Sequence, residues 1–218
     1  MKYLPFAALC LLSCGPVIPD IADNERPILK PCPNPETFSR NGATIKGCLD
    51  STRLLILTNG TGARCSFYSG VINTAAKKGY LVACPNDSNT GSGRSGILAL
   101  ATLENLGAKM DYLLTTGHSQ GGAATISIAY KAQKQYPKLQ IDLLPIQPAW
   151  GMAPNFREMA PQITGQKVVV CGRLDTVVPC AGVRRGYELL KNPKTFVTIE
   201  AGHMNPQNAW SKLLDTFD

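Results

Sequence analysis

Histidine is nearly absent: the 218-residue chain carries two, His118 and His203. Any chemistry that needs an imidazole base must use one of them, and a histidine-built metal centre would lack ligands. No CxxC pair or clustered Cys/His spacing offers a substitute, so no metal and no cofactor is expected. There is no internal repeat, which removes solenoids and propellers. No insertion is long enough for a separate lid domain, and no apolar run reaches the ~20 residues of a membrane-spanning helix. The formal charge is +7, yet Lys77, Lys78, Arg184, Arg185 and Lys191 are scattered without aromatic interleaving or a basic helix. A solvated surface follows, and no nucleic-acid partner is expected.

What is present reads as one globular α/β domain, with 44% hydrophobic and 17% charged residues. Lys2 and the apolar run from Leu4 to Leu12 read as a signal peptide over residues 1–13. Ser13-Cys14 resembles a bacterial lipobox, which makes Cys14 the lipidation candidate; an ordinary signal peptide cut nearby is the alternative. Both export the protein, as a cell-surface or outer-membrane lipoprotein or as a secreted or periplasmic one, with membrane contact only through a lipid anchor. Pro16, Pro19, Pro27, Pro31, Pro33 and Pro35 predict an extended tether over 14–40. The domain is then expected over 41–218, as a monomer.

With Cys10 and Cys14 set aside, Cys32, Cys48, Cys65, Cys84, Cys171 and Cys180 remain, and six cysteines allow fifteen connectivities. Local geometry favours pairing neighbours. Cys32 and Cys48 flank a hairpin at Asn41-Gly42, Cys65 and Cys84 follow two consecutive strands, and Cys171 and Cys180 bracket one loop. Such crosslinks suit an oxidising compartment.

Apolar runs of strand length alternate with segments of helical period, predicting a mostly parallel sheet with helices on both faces. "RLLILTNG", "YLVACP", "DYLLTTGHS", "IDLLPIQP", "QKVVVCG" and "FVTIEAG" read as strands. "YSGVINTAAKKG", "ILALATLENLG", Gly121 to about Gln135, and "NPQNAWSKLLDTF" read as helices.

Between the third strand and its helix lies Gly117-His118-Ser119-Gln120-Gly121. A serine hydroxyl attacks only with a base in reach and a third group orienting that base. At a strand-to-helix elbow the flanking glycines let strand and helix approach, and the helix N-terminus favours developing negative charge. His118 should point away from the hydroxyl beside it, which leaves His203, just past the last strand, as the base. Asp175 lies in the loop after "VVVC", on the same sheet edge, and is the candidate acid. Asp142 opens its strand at the opposite edge, and Glu158, Glu188 and Glu200 fall on a loop or helix surface or within the last strand. The order Ser119, Asp175, His203 is the one α/β-hydrolases use. The backbone N–H groups of Gln120 and Thr61 are the candidate oxyanion-hole donors, with Gly60 beside them against substrate.

From about Leu54 to Trp210 the chain resembles α/β-hydrolases of the branch containing bacterial cutinases, polyester hydrolases, related lipases and chlorophyllase-like esterases. The motifs are "NGTG", "TGSGRSGILALATLENL", "GHSQGG", "PIQPAW", "LDTVVP" and "GHMNP". The resemblance implies an α/β-hydrolase fold without a lid, and a serine carboxylesterase acting on a small-molecule or polymeric ester. It also implies that Trp150 clamps substrate over the site. Thr61 and Gln120 depart from the aromatic and methionine usual in cutinase-type enzymes and lean toward the chlorophyllase-like esterases. The alternatives are a non-catalytic ligand-binding surface lipoprotein, or the same machinery used by a peptidase, thioesterase or acyltransferase.

Overall fold

Every residue of β3 (Arg53–Thr58), β4 (Leu81–Pro85), β5 (Tyr112–His118) and β7 (Lys167–Gly172) is buried, as is β6 (Gln140–Ile146) beyond its first residue. Strands buried on both faces need helices on both sides. In the computed structural model, which describes residues 26–87 and 90–218, they have them. The expected signal peptide and Cys14 lie outside the described residues.

Alternation along β3 sorts the two cores. Leu54 and Ile56 pack with α2 (Arg94–Asn105) and α3 (Gln120–Gln135), whereas Leu55 and Leu57 pack with α1 (Ser69–Lys78) and α6 (Gln207–Leu213). With β1 (Glu36–Arg40), β2 (Ala43–Gly47) and β8 (Lys194–Ile199) the sheet has eight strands in the order β1-β2-β4-β3-β5-β6-β7-β8. β2 is antiparallel to both neighbours; every pairing from β4 through β8 is parallel.

The local signals act as their chemistry dictates. α1 stops at Gly79, whose φ of 109° lets its N–H turn back to the carbonyls of Ala75 and Ala76. Asn41 and Gly42, with φ of 49° and 75°, make the primed two-residue turn that joins β1 to β2. The disulfides are Cys32–Cys48, Cys65–Cys84 and Cys171–Cys180, the local pairing that the spacing favoured.

Two features differ from the sequence expectation. The boundary expected at residue 41 falls inside the hairpin turn. β1 pairs along its whole length with β2, and Cys32 is buried, so from Arg26 the segment expected as tether packs on the domain. Prolines there set an extended backbone, and an extended backbone is equally suited to lie along a fold. Two helices were also unforeseen: α4 (Phe156–Met159) and α5 (Cys180–Tyr187). The first is a single turn, and the second is eight residues long with two glycines, which weaken a helix in sequence.

At the N-terminal ends of the parallel strands a buried polar lock closes the sheet. Arg53 lies between the Tyr80 and Tyr112 rings, 4.8 and 4.4 Å from their centroids, and donates to the Tyr80 hydroxyl and the Phe217 carbonyl. Asp142 accepts from Arg26 Nε (3.0 Å), the Tyr112 hydroxyl (3.0 Å) and the Gln166 N–H (2.8 Å). Asp142→Ala leaves three donors without their acceptor, one of them charged. It should destabilise the fold by about 3–5 kcal/mol in urea denaturation, and a loss below about 1 kcal/mol would show that water replaces the carboxylate.

Candidate active site

Ser119 sits where β5 meets α3, with φ 55° and ψ −117°, a conformation an L-residue adopts only under constraint. The constraint is crowding. A Cβ at Gly121 would lie 2.2 Å from the Thr58 carbonyl oxygen, and one at Gly117 would lie 2.4 Å from Thr58 Oγ1. The two glycines let α3 begin against the end of β3. The Ser119 carbonyl accepts from both Ala123 and Ala149, which fixes the elbow to its own helix and to the loop after β6.

His203 comes from the loop after β8. Its Nε2 is 3.1 Å from Ser119 Oγ and its Nδ1 is 2.7 Å from Asp175 Oδ2. Asp175 comes from the loop after β7. Its side chain is fully buried, and Oδ1 accepts from the N–H groups of Val177 and Val178, both at 2.8 Å. The carboxylate therefore presents one oxygen to the imidazole while two backbone amides fix the other. The Cys171–Cys180 disulfide closes the loop that carries Asp175. Of the other carboxylates, Asp142 belongs to the lock at the opposite edge. Glu200 forms an exposed two-point pair with Arg173.

The sequence-derived residues thus converge, with one exception. Gly60 and Thr61 line the cleft beside Ser119 and His203. The Thr61 hydroxyl donates to Gln120 Oε1 at 3.0 Å, joining the β3 loop to the start of α3, where the two candidate oxyanion donors lie. Trp150 does not enter the cleft. It lies in a 3-10 turn, Trp150–Met152, buried to 7% exposure, with Nε1 donating to the Val183 carbonyl (2.9 Å) and its ring stacked on Phe156. Gly186 makes room for it, since a Cβ there would lie 2.1 Å from the indole. The clamp implied by resemblance is corrected: the indole anchors α5 and is not among the cleft's described lining residues.

The cleft measures about 660 Å³. Phe67, Met152, Val177 and Met204 stand exposed around it, and no Lys, Arg, Asp or Glu is among its described lining residues. Among the described residues no group of three His, Cys, Asp or Glu side chains could hold a metal ion. Two further residues were not anticipated. Tyr68, in the turn before α1, and Gln147, after β6, hydrogen-bond the two ring nitrogens of His118 at 3.2 and 3.1 Å. A signal for Gln147 existed, because a glutamine between Ile146 and Pro148 interrupts an otherwise apolar strand end.

No protein family and no curated protein matches the sequence. Solved structures resemble the chain in fold. Est1E from Butyrivibrio proteoclasticus is 15% identical over 84% of this chain and 96% of its own, with a TM-score of 0.63. The enol-lactonase from Burkholderia xenovorans LB400 is 14% identical over 84% and 99%, with a TM-score of 0.61. A "predicted CIB-like hydrolase" from Thermoplasma acidophilum is 19% identical over 84% and 96%, with a TM-score of 0.58. Together with the strand order, these likenesses show that the chain has the α/β-hydrolase fold.

Burial, and secondarily the neighbouring His203, push the His118 imidazole from its ordinary 6.5 down to about 4. The unfolded chain takes up this proton below 6.5 while the folded one resists until about 4, so the stability is complete above 6.5 and is lost as pH falls through about 4. The full effect is about 3 kcal/mol. Urea unfolding of wild type and His118→Gln across that window should therefore show a shallower acid decline in the variant; parallel curves would mean that His118 titrates alike in both states.

Proposed function

We propose that the protein is a serine carboxylesterase that hydrolyses short- to medium-chain acyl esters through an acyl-enzyme. The observation that carries this reading is the His203 imidazole bridging Ser119 Oγ and Asp175 Oδ2 at the wall of an open cleft. Ser119 Oγ attacks the ester carbonyl as its proton passes to His203 Nε2, and Asp175 holds the tautomer that leaves Nε2 free to accept it. The backbone amides of Thr61 and Gln120 stabilise the tetrahedral oxyanion, with the N-terminus of α3 contributing its dipole. The imidazolium returns the proton to the departing alcohol. Water then attacks the acyl-enzyme by the same route.

The lining argues for the substrate. With no Lys, Arg, Asp or Glu among its described lining residues, the cleft gives little compensation for desolvating a charged acyl group, whereas Met152, Val177 and Val178 offer apolar contact. Trp150 supplies no aromatic clamp, so small esters are favoured over polymers. The same atoms would serve a thioester, and one structure of similar fold is described as a thioesterase domain from a curacin biosynthetic pathway. Ester and thioester substrates therefore belong in one assay. Export is supported by three disulfides, which suit an oxidising compartment.

Treatment with a fluorophosphonate should give a single adduct by intact mass and abolish p-nitrophenyl butyrate turnover. Ser119→Ala should take no adduct and lose about 10⁶-fold in kcat. No adduct on folded wild-type protein would leave the elbow a mere turn and favour a ligand-binding role. Reductant titrated into the wild type should lower turnover before near-UV ellipticity changes, because Cys171–Cys180 steadies the Asp175 loop. Simultaneous loss of both would argue that this disulfide acts on the whole domain.

A further inference from the structure

Resting on the reading of Ser119 as nucleophile, we infer that Tyr68, His118 and Gln147 form a positioning relay. It holds the Gly60–Thr61 loop and the His203 loop in register with the elbow. The hydrogen bonds run in one direction. The Gly60 N–H donates to the Tyr68 hydroxyl oxygen (3.0 Å), and Tyr68 spends its single hydrogen on His118 Nδ1 (3.2 Å). His118 then carries its proton on Nε2 and donates to Gln147 Oε1 (3.1 Å), and the Gln147 amide donates to the Gly202 carbonyl (3.0 Å). Four segments are joined: the loop after β3, the elbow, the loop after β6 and the residue preceding His203.

Three further observations support a built device. Tyr68, His118 and Gln147 are all buried, so water is not there to substitute for a missing bond. Gln147 holds a φ of 45°, a left-handed backbone rare for a non-glycine residue, which persists only where its surroundings impose it. Two glycines lie against the chain of bonds, where a side chain would press on it. A Cβ at Gly172 would lie 2.2 Å from Gln147 Nε2, and one at Gly60 would lie 3.2 Å from both His118 Nδ1 and Tyr68 Oη.

The His118 ring lies 4.6 Å from that of His203, centroid to centroid. A neutral His118 is therefore what the site requires, because a second cation there would oppose the imidazolium formed on His203 during turnover. The titratable groups around it are Tyr68, His203 and Asp175, and burial raises the Tyr68 phenol so that it keeps its proton.

The test compares Tyr68→Phe, Gln147→Asn and the double variant. Asparagine tolerates the left-handed backbone but is one methylene too short to bridge. Each single change should lower kcat about tenfold or more with KM within about twofold, as expected when reacting groups lose alignment. Each variant should stay folded with a melting temperature lowered by a few degrees as its buried partners lose their bonds, and the kcat of the double variant should be no worse than that of the poorer single one, because one broken link already opens the relay. Unchanged kcat in folded variants, or effects that multiply, would overturn the relay. Nitrogen-15 spectra of the wild type give a reading independent of any variant's folding: His118 should remain the neutral Nε2–H tautomer between about pH 5 and 8, and an Nδ1–H tautomer or a titration in that range would overturn it. Fluorophosphonate labelling of the same wild-type sample separates the two failures. A labelled, active enzyme with unaffected variants sinks the relay alone, whereas an unlabelled wild type sinks both readings.

Discussion

The backbone of Ser119 is the constraint on which the rest of the structure depends. A positive φ at a serine is unfavourable in isolation and survives only because the chain on either side is held. That holding requires α3 to begin in contact with Thr58 at the end of β3, which in turn requires glycine at 117 and 121. The same contact sets the entry of α3 across the sheet, and with it the run of small residues from Gly121 to Ala124 that are buried against β5 and β6. The reactive geometry and the packing of the longest helix are thus one requirement.

The two edges of the parallel strands divide the chemistry between them. At the C-terminal ends, loops bring Ser119, Asp175 and His203 together from segments far apart in sequence, each fixed by backbone hydrogen bonds. At the N-terminal ends, Arg53 and Asp142 are engaged in a buried network with Arg26, Tyr80, Tyr112 and the Phe217 carbonyl. Both clusters contain buried carboxylates. Asp142 faces donors on every side, whereas Asp175 leaves one oxygen for an imidazole that is itself in contact with a hydroxyl.

Much of this was legible because scarcity and order do the selecting. With two histidines, one of them inside the elbow, elimination left His203 as the candidate base, and Asp175 followed as the candidate acid from which strand ends face the same way; the fold brings both beside Ser119. The Asn41-Gly42 turn and the pairing of neighbouring cysteines are local, so local sequence carried them. Trp150 was misplaced because its orientation is decided at a distance. Gly186 in α5 opens the space that the indole fills, and α5 is short and carries two glycines, so its own segment reads weakly as a helix. Tyr68 and Gln147 escaped for a related reason, since each looks ordinary in its own segment and acquires meaning only where four loops meet around His118. The start of the domain was set too late because an extended proline-rich strand bound along a surface and a free spacer have the same composition.

The position of Arg26 also links the two ends of the described domain. The chain enters the fold at the lock, beside Asp142 and Thr216, at the end of the strands away from His203. Arg26 therefore ties the start of the described chain to its last turn through the Thr216 carbonyl. Fraying at either end would first uncover Asp142, at the sheet edge away from His203, and leave the cleft's geometry in place.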